Sequence, residues 1–196
     1  HLESLRAQGM LARTLNAQGR HAEAESELRE LLPIAVASYG EKHLWSRIAR
    51  NDLANVLRDT GSHDEALEHY YALIAINREK IGAERYQQHD SRFRSLRNIA
   101  VTLNNAERWR EAVELLRPAL VDAQAALGAE HYLPHRMALT LATALSRLGR
   151  PPAEILPLLD APLAYFAAPG TANPTLLDQA MTLREQVLDG SPATRP

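Results

Sequence analysis

Cysteine is absent from the 196 residues of the chain. Its absence excludes disulfide bonds, zinc sites with thiolate ligands and cysteine nucleophiles, and it fits a reducing compartment, so we expect a cytoplasmic protein. No apolar run approaches the roughly 18 to 20 residues that a helix needs to span a bilayer. No signal-peptide pattern is visible, and the first residue is His1 rather than Met. We therefore expect a fragment of a longer protein.

Aromatic residues are also scarce, at 5%, and strand-forming residues never alternate with period two. Hydrophobic residues make up 45% of the chain and are mostly Leu and Ala, which favours helices. The formal net charge is only −2, which predicts neither a nucleic-acid nor a membrane partner. Only Lys42 and Lys80 are lysines; the remaining basic residues are arginines. The abundance of Arg, Ala and Leu is typical of bacteria with GC-rich genomes.

Two sequence markers recur with the same spacing. A turn-like pattern that ends in Glu-Ala in its first three copies begins at Gly19, Gly61, Glu107 and Gly149, at intervals of 42, 46 and 42 residues. A loop glycine recurs at the same intervals, at Gly40, Gly82, Gly128 and Gly170. Such a fixed period indicates a repeat protein.

Between the markers, apolar residues follow helical spacing at i, i+1 and i+4, which gives each first helix one apolar stripe. The central residue of each set is small, at Ala12, Ala54, Ala100 and Ala142. The second helices have small residues at Ala24, Ala66 and Ala112 and larger ones at Leu28, Tyr70, Leu116 and Leu158. Each repeat is therefore predicted to be two closely packed helices, A and B, joined by a tight turn.

The boundaries follow from this pattern. We predict one domain over residues 1–190, with repeats at about 1–40, 43–82, 89–128 and 131–169. The longer interval places a four-residue insertion at about residues 86–91. Asn173 and Pro174 predict the start of a capping helix over residues 174–189, followed by a tail at 191–196. Prolines at Pro33, Pro118 and Pro157 are each expected to kink or shift helix B.

These residues resemble the tetratricopeptide-repeat family. The Gly-Arg-x-x-Glu-Ala turn and the small residues on helices A and B are its marks, and the 42-residue period with a Gly-x-x-His loop resembles the kinesin-light-chain type. The resemblance implies an all-α, right-handed solenoid of about four helix-turn-helix pairs with a C-terminal capping helix. The fourth repeat departs from the pattern at Pro151, Pro152, Ala153 and Glu154. A HEAT or armadillo-like solenoid is the alternative, although it lacks the paired glycine markers.

The resemblance also implies that helix A of each repeat lines a concave groove. The groove positions are polar and mostly Arg or Asn. Those predicted to bind a peptide are Arg6, Arg13, Asn16, Asn51, Asn55, Arg58, Arg94, Arg97, Asn98, Asn104, Asn105, Arg136 and Arg147. Asp59, Thr143 and Ser146 occupy neighbouring positions. Because stacking places equivalent positions side by side, we expect Arg58, Arg94, Arg97 and Arg136 to converge on one groove.

Acidic residues lie mainly on the predicted B helices, so the two charges are segregated by face. A cationic groove attracts an acidic protein or peptide, arginine can bind a carboxylate with two hydrogen bonds, and asparagine can hold an extended backbone. The alternative hypothesis is that the arginines are solvated and pair with helix B acids of neighbouring repeats.

No motif for catalysis, nucleotide binding or a cofactor is present, so we predict neither an enzyme nor a cofactor. His131 and His135 are four residues apart, a spacing that can hold a metal on a helix. Pro134 lies between them and no third ligand has a fixed spacing, so no metal site is predicted.

The sequence thus predicts a protein- or peptide-binding repeat module in a larger bacterial signalling or regulatory protein. Two alternatives stay open: a peptide-sensing regulator whose curvature changes on binding, and a structural spacer or homo-oligomerisation element without a ligand.

Overall fold

The computed structural model describes residues 2–190. Within that range 82% of the chain is helical and no residue forms a strand, which confirms the all-α prediction. The predicted tail at residues 191–196 lies outside the described residues.

The chain divides into two compact units, His1–Gln87 and Gln88–Pro196. The prediction of a single domain over residues 1–190 stays a prediction. The first unit contains α1 (Leu2–Ala17), α2 (His21–Tyr39), α3 (Leu44–Asp59), α4 (His63–Ile81) and the short α5 (Ala83–Gln87). In this unit α1 packs on α2, α2 on α3, and α3 on α4.

The second unit contains α6 (Asp90–Asn105), α7 (Trp109–Leu127), α8 (Tyr132–Arg147), the one-turn α9 (Pro152–Ile155), α10 (Pro157–Ala167) and α11 (Pro174–Leu188). Each helix of the unit packs on the next one along the chain, and α6 also contacts α8 directly. Helices α6 and α8 are the A helices of their repeats, so this direct contact places two A helices side by side.

Histidine side chains start three of the A helices. The Nδ1 atoms of His43, His89 and His131 accept hydrogen bonds from backbone amides two residues later, at N–N distances of 3.3, 3.2 and 3.2 Å. Each bond satisfies one of the amides that a helix leaves without a partner at its first turn. Helix α11 starts as predicted, with the Asn173 Oδ1 accepting from the Leu176 amide at 3.0 Å and Pro174 in the first turn.

The turns between helices A and B adopt a left-handed backbone at one position. Gly19, Gly61 and Gly149 have φ angles of 76°, 86° and 65° there. In the third repeat the position is occupied by Glu107, with φ of 61°, the one non-glycine residue with positive φ in the described range. For a residue with a side chain this conformation costs about 1–2 kcal/mol.

Small residues lie where helices A and B cross. Ala12, Ala54, Ala100 and Ala142 are fully buried, as are Ala24, Ala66 and Ala112 on the B helices. Leu28, Tyr70 and Leu116 fill the adjacent space, as predicted. A methyl group at each crossing lets two backbones approach closely, and the larger side chains close the gaps beside it.

The fourth repeat differs from the prediction by one residue. Leu159 is fully buried, whereas Leu158 is only half-buried. The reason is Pro157, which begins α10 and separates it from α9, so helix B is broken and its register shifts. In contrast, α2 and α7 continue through the exposed Pro33 and Pro118.

The longer interval between the second and third repeats forms α5. This short helix follows Gly82 directly, and its Tyr86 is 3% exposed. Residues 88 and 89 then lead into α6. The extra length therefore forms a helix that contacts α4 and buries an aromatic side chain, rather than an open loop.

The fold predicts opposite effects for one substitution at two glycines. Gly61→Ala adds no contact, because nothing lies within 4 Å of the new methyl, but it strains a backbone with φ of 86°. It should destabilise the protein by about 1 kcal/mol. Gly9→Ala places its methyl 3.6 Å from Leu31 inside a helix, and it should stabilise the protein by about 0.5–1 kcal/mol. Urea unfolding of both variants measures the two changes in the free energy of unfolding. Changes of the same sign would contradict the turn geometry.

A second prediction concerns the helix crossings. Ala100→Leu should destabilise the second unit by about 1–3 kcal/mol, because three more carbon atoms must enter a fully packed contact. Ala125→Leu, at an exposed position of α7, is the matched control and should change the free energy of unfolding by less than about 0.5 kcal/mol. A neutral Ala100→Leu would mean that the crossing lies elsewhere.

Candidate functional site

A groove of about 540 Å³ lies within the second unit. Its walls come from α6, α8 and α11, and the turn from α6 to α7 lies at one end. Arg97, Arg136 and Arg147 supply three guanidinium groups to it. All three belong to the residues that the sequence predicts for peptide binding, as do Asn104 and Asn105, which also line the groove.

Hydrogen bonds hold the end of α6 in place. The Asn104 side-chain amide donates to the Thr140 carbonyl at 3.2 Å, which ties α6 to α8. The Trp109 indole donates to the Asn104 carbonyl, also at 3.2 Å. The Oδ1 atom of Asn104 is buried and accepts no hydrogen bond from the described residues. A buried amide oxygen of this kind favours a ligand donor, because an unsatisfied acceptor is costly.

The floor of the groove is apolar. Leu139 and Leu183 are almost fully buried, and Val101 and Leu176 are partly covered beside them. The groove therefore combines a hydrophobic base with charged and amide side chains. This combination is typical of sites that bury part of a ligand and orient it through a few polar groups.

Sequence reasoning missed several lining residues. They lie on the turn after α6, at the start of α7 and on α11, and the polar and aromatic ones are Glu107, Trp109, Asp178, Gln179, Thr182 and Gln186. The two carboxylates oppose the three arginines, so the groove is of mixed charge rather than purely cationic. A signal for α11 was present, because Gln179, Thr182 and Gln186 follow helical spacing on one face. The helix was interpreted only as a cap.

Two predicted residues of the second unit do not line this groove. Arg94 is exposed and pairs with Asp90 at 2.8 Å on its own helix. Asn98 is 9% exposed within α6. The expected convergence therefore joins Arg97 and Arg136 and does not include Arg94.

In the first unit, three predicted residues of α1 have polar or aromatic partners. Arg6 pairs with Glu3 at 3.3 Å and lies over the Trp45 ring, 5.5 Å from its centre. Arg13 lies 3.1 Å from an Asp52 carboxylate oxygen. The Asn16 amide donates to Asp59 at 3.2 Å, and its carbonyl oxygen contacts the His21 ring.

The predicted residues of α3 are likewise held within the protein. The Asn55 Oδ1 accepts from the Tyr70 hydroxyl at 2.7 Å and from Arg58 at 3.2 Å. Arg58 also pairs with Asp59 at 2.9 Å. Asn51 makes a hydrogen bond with Asp52 that lowers the pKa of this carboxyl. In the first unit, Arg6, Arg13 and Arg58 thus lie close to acids of α1 and α3.

Three acids of the B helices pair with arginines that lie outside the predicted groove positions, whereas Asp122 of α7 pairs with Arg92 of α6 at 2.9 Å. Glu23 and Glu111 bind the turn residues Arg20 and Arg108, and these hydrogen bonds lower the pKa of both carboxyls. Glu65 is bound by Arg29 of α2 at 2.7 Å. Arginines of turns and B helices are therefore the partners of these glutamates.

The two histidines considered for metal binding have structural roles. His131 starts α8, as described above. The buried His135 donates from Nε2 to the Ala129 carbonyl at 2.7 Å and stacks on Tyr165, with ring centres 4.1 Å apart. No group of three or more metal-ligating side chains occurs within residues 2–190. Across the same residues, no helix is both long and apolar enough to cross a membrane.

The Arg13–Asp52 pair predicts non-additive mutational effects. Burial raises the pKa of Asp52, while Arg13 lowers it. Arg13→Ala should destabilise the protein by about 1–3 kcal/mol at neutral pH, because it leaves a buried carboxylate without its cation. In an Asp52→Asn background the same change should cost less than about 0.5 kcal/mol.

The pH dependence checks the same pair. A raised folded-state pKa means that Asp52 favours folding at low pH and that this contribution is lost as pH rises through the folded value. Asp52→Asn should therefore gain stability relative to the wild type as pH rises toward neutral. Denaturant unfolding between pH 4 and pH 8 measures this difference, and a constant difference would contradict the assignment.

Two models of the tetratricopeptide repeat match the sequence, over residues 3–79 and 93–133. No curated protein matches it. One similar crystal structure is from Podosopora anserina and is described as the nearly identical TPR-like repeats of a kinesin light chain. Its sequence is 25% identical to this chain, and the TM-score is 0.69. The match covers 97% of this chain and 91% of that one.

The crystal structure of BtubC (BKLC) from P. vanneervenii is 18% identical with a TM-score of 0.71, and the match covers 93% of this chain and 71% of that one. This second likeness shows the fold alone. Tetratricopeptide repeats are in general protein–protein interaction modules and non-catalytic scaffolds. With two repeat models matched and the helical pairs in place, the chain belongs to the tetratricopeptide-repeat family.

Proposed function

We propose that the groove between α6, α8 and α11 binds an acidic segment of another protein. The observation that supports this most strongly is the presence of Arg97, Arg136 and Arg147 around one groove with an apolar floor. Guanidinium groups bind carboxylates with paired, charge-assisted hydrogen bonds. The apolar floor supplies burial for one or two ligand side chains.

The amide side chains support a peptide ligand in particular. Asn104, Asn105, Gln179 and Gln186 can each donate and accept hydrogen bonds, as a peptide backbone requires. The volume of about 540 Å³ falls within the usual range of roughly 300–1,000 Å³ for ligand sites. It suits a short stretch of chain rather than a folded domain.

The volume of its groove favours the second unit over the first. Arg13 and Arg58 already have acidic partners at 3.1 and 2.9 Å, so a ligand carboxylate must displace a carboxylate of the protein. A cavity of about 10 Å³ lined by residues of α1, α2 and α3 has no room for a ligand. The predicted binding role of the first-unit residues remains a separate hypothesis.

The wider setting rests on the resemblance. A role in a larger bacterial signalling or regulatory protein, a cytoplasmic location and formation of a homo-oligomer all stay predictions. A spacer without a ligand is the main alternative, and the experiment below separates it from a binding module.

The test uses an array of ten-residue peptides with two or three central Asp or Glu residues. Among the peptides that bind the wild type, Arg97→Gln combined with Arg136→Gln should lower the affinity by about tenfold or more, or roughly 1.4 kcal/mol. Binding by the wild type should also weaken as salt rises from about 0.05 to 0.5 M, because screening shortens the range of charge interactions. Fluorescence anisotropy measures both effects.

The matched control is Arg110→Gln combined with Arg117→Gln, two exposed positions of α7 that do not line the groove. This variant loses the same charge and should retain wild-type affinity. Equal losses in both variants would indicate a non-specific charge effect, and no binding by the wild type would favour the spacer.

A further inference from the structure

Glu107 occupies a position where folding alone favours glycine. Three of the four A–B turns have glycine there, and all three glycines have positive φ. Glu107 adopts the same left-handed backbone with φ of 61°. Unusual backbone conformations that persist in spite of their cost cluster at functional sites.

The same residue lines the groove. Its neighbours Asn104, Asn105 and Trp109 line it too, so the turn forms one end of the site. Glu107 is exposed and adds a carboxylate to the lining of a groove with three arginines. Glu107 has interactions within the chain, and a carboxylate has several acceptor positions, so it can bind a ligand cation in addition to them.

The helix geometry sets a length scale between the two charges. Arg97 precedes Glu107 by ten residues, most of them in α6, and at 1.5 Å per residue this is about 15 Å along the axis of α6. An extended peptide advances about 3.3 Å per residue, so four or five ligand residues span the same distance.

We propose that Glu107 is a specificity-determining residue that binds a lysine or arginine of the ligand. On this proposal the ligand carries its acidic residue near Arg97 and a basic residue four or five positions away. The ligand class is therefore a peptide segment of mixed charge with a fixed spacing. This inference rests on the peptide-binding function proposed above.

The experiment compares acidic peptides that carry Lys, Ala or Glu at each position up to six residues on either side of the acidic pair. The wild type should prefer Lys to Ala at the fourth or fifth position on one side by about fivefold. Glu107→Gln keeps the backbone strain but removes the charge, and it should abolish this preference. The affinity for the acidic Ala peptide should not fall, because the substitution removes a like charge from the groove.

Glu107→Gly provides a readout that separates function from folding. It should lose the same preference, yet its melting temperature should rise by about 1–3 °C, because the left-handed turn no longer carries a side chain. A residue that serves the fold alone would not combine higher stability with altered peptide choice. Asp178→Asn, the other carboxylate of the groove, is the matched control and should retain the Lys preference at that position.

The outcomes distinguish this inference from the function on which it rests. If Glu107→Gln retains the Lys preference, or if the wild type has none, Glu107 is not a specificity determinant although the groove binds peptides. If no peptide binds the wild type, or if binding is unaffected by loss of Arg97 and Arg136, the proposed function fails and this inference fails with it.

Discussion

Close contact between helices at alanine positions is the constraint on which the rest of the structure depends. Ala54 and Ala66 in the second repeat, and Ala100 and Ala112 in the third, are fully buried where helices A and B cross. A larger side chain at the crossing separates the helices and moves every neighbouring contact. Because interiors are packed nearly as densely as crystals, the positions of the groove-lining side chains follow from these crossings.

The two units use similar helices for different polar arrangements. In the first unit, Arg6, Arg13 and Arg58 lie close to acids of α1 and α3. In the second, amide and guanidinium groups line a groove together with apolar side chains. The repeat thus fixes where polar side chains are placed, whereas the identity of the neighbouring residues decides what surrounds them.

Local and repeated features could be predicted from the sequence. The alanine crossings, the turn glycines and the Asn173–Pro174 helix start depend on a few adjacent residues, and repetition separates them from chance. The shift from Leu158 to Leu159 could not be predicted, because it depends on how the break at Pro157 is accommodated. Five groove residues were found among thirteen predicted, and α11 and Glu107 were missed because the positions were transferred only along the four A helices.

Partner choice was the least predictable feature. Arg13, Arg58 and Arg94 each have an acid nearby, and which one they bind depends on distances between helices that no spacing in the sequence records. The expectation that acids lie mainly on the B helices did not include the two carboxylates that line the groove, Glu107 and Asp178.

The histidine caps allow the loop before an A helix to change length. The Nδ1 atoms of His43, His89 and His131 each accept a hydrogen bond from the backbone amide two residues later. His43 and His131 lie three residues after the loop glycine of their repeat, whereas His89 lies seven residues after it. The cap therefore moves with the helix that it starts, and four additional loop residues do not alter how that helix begins.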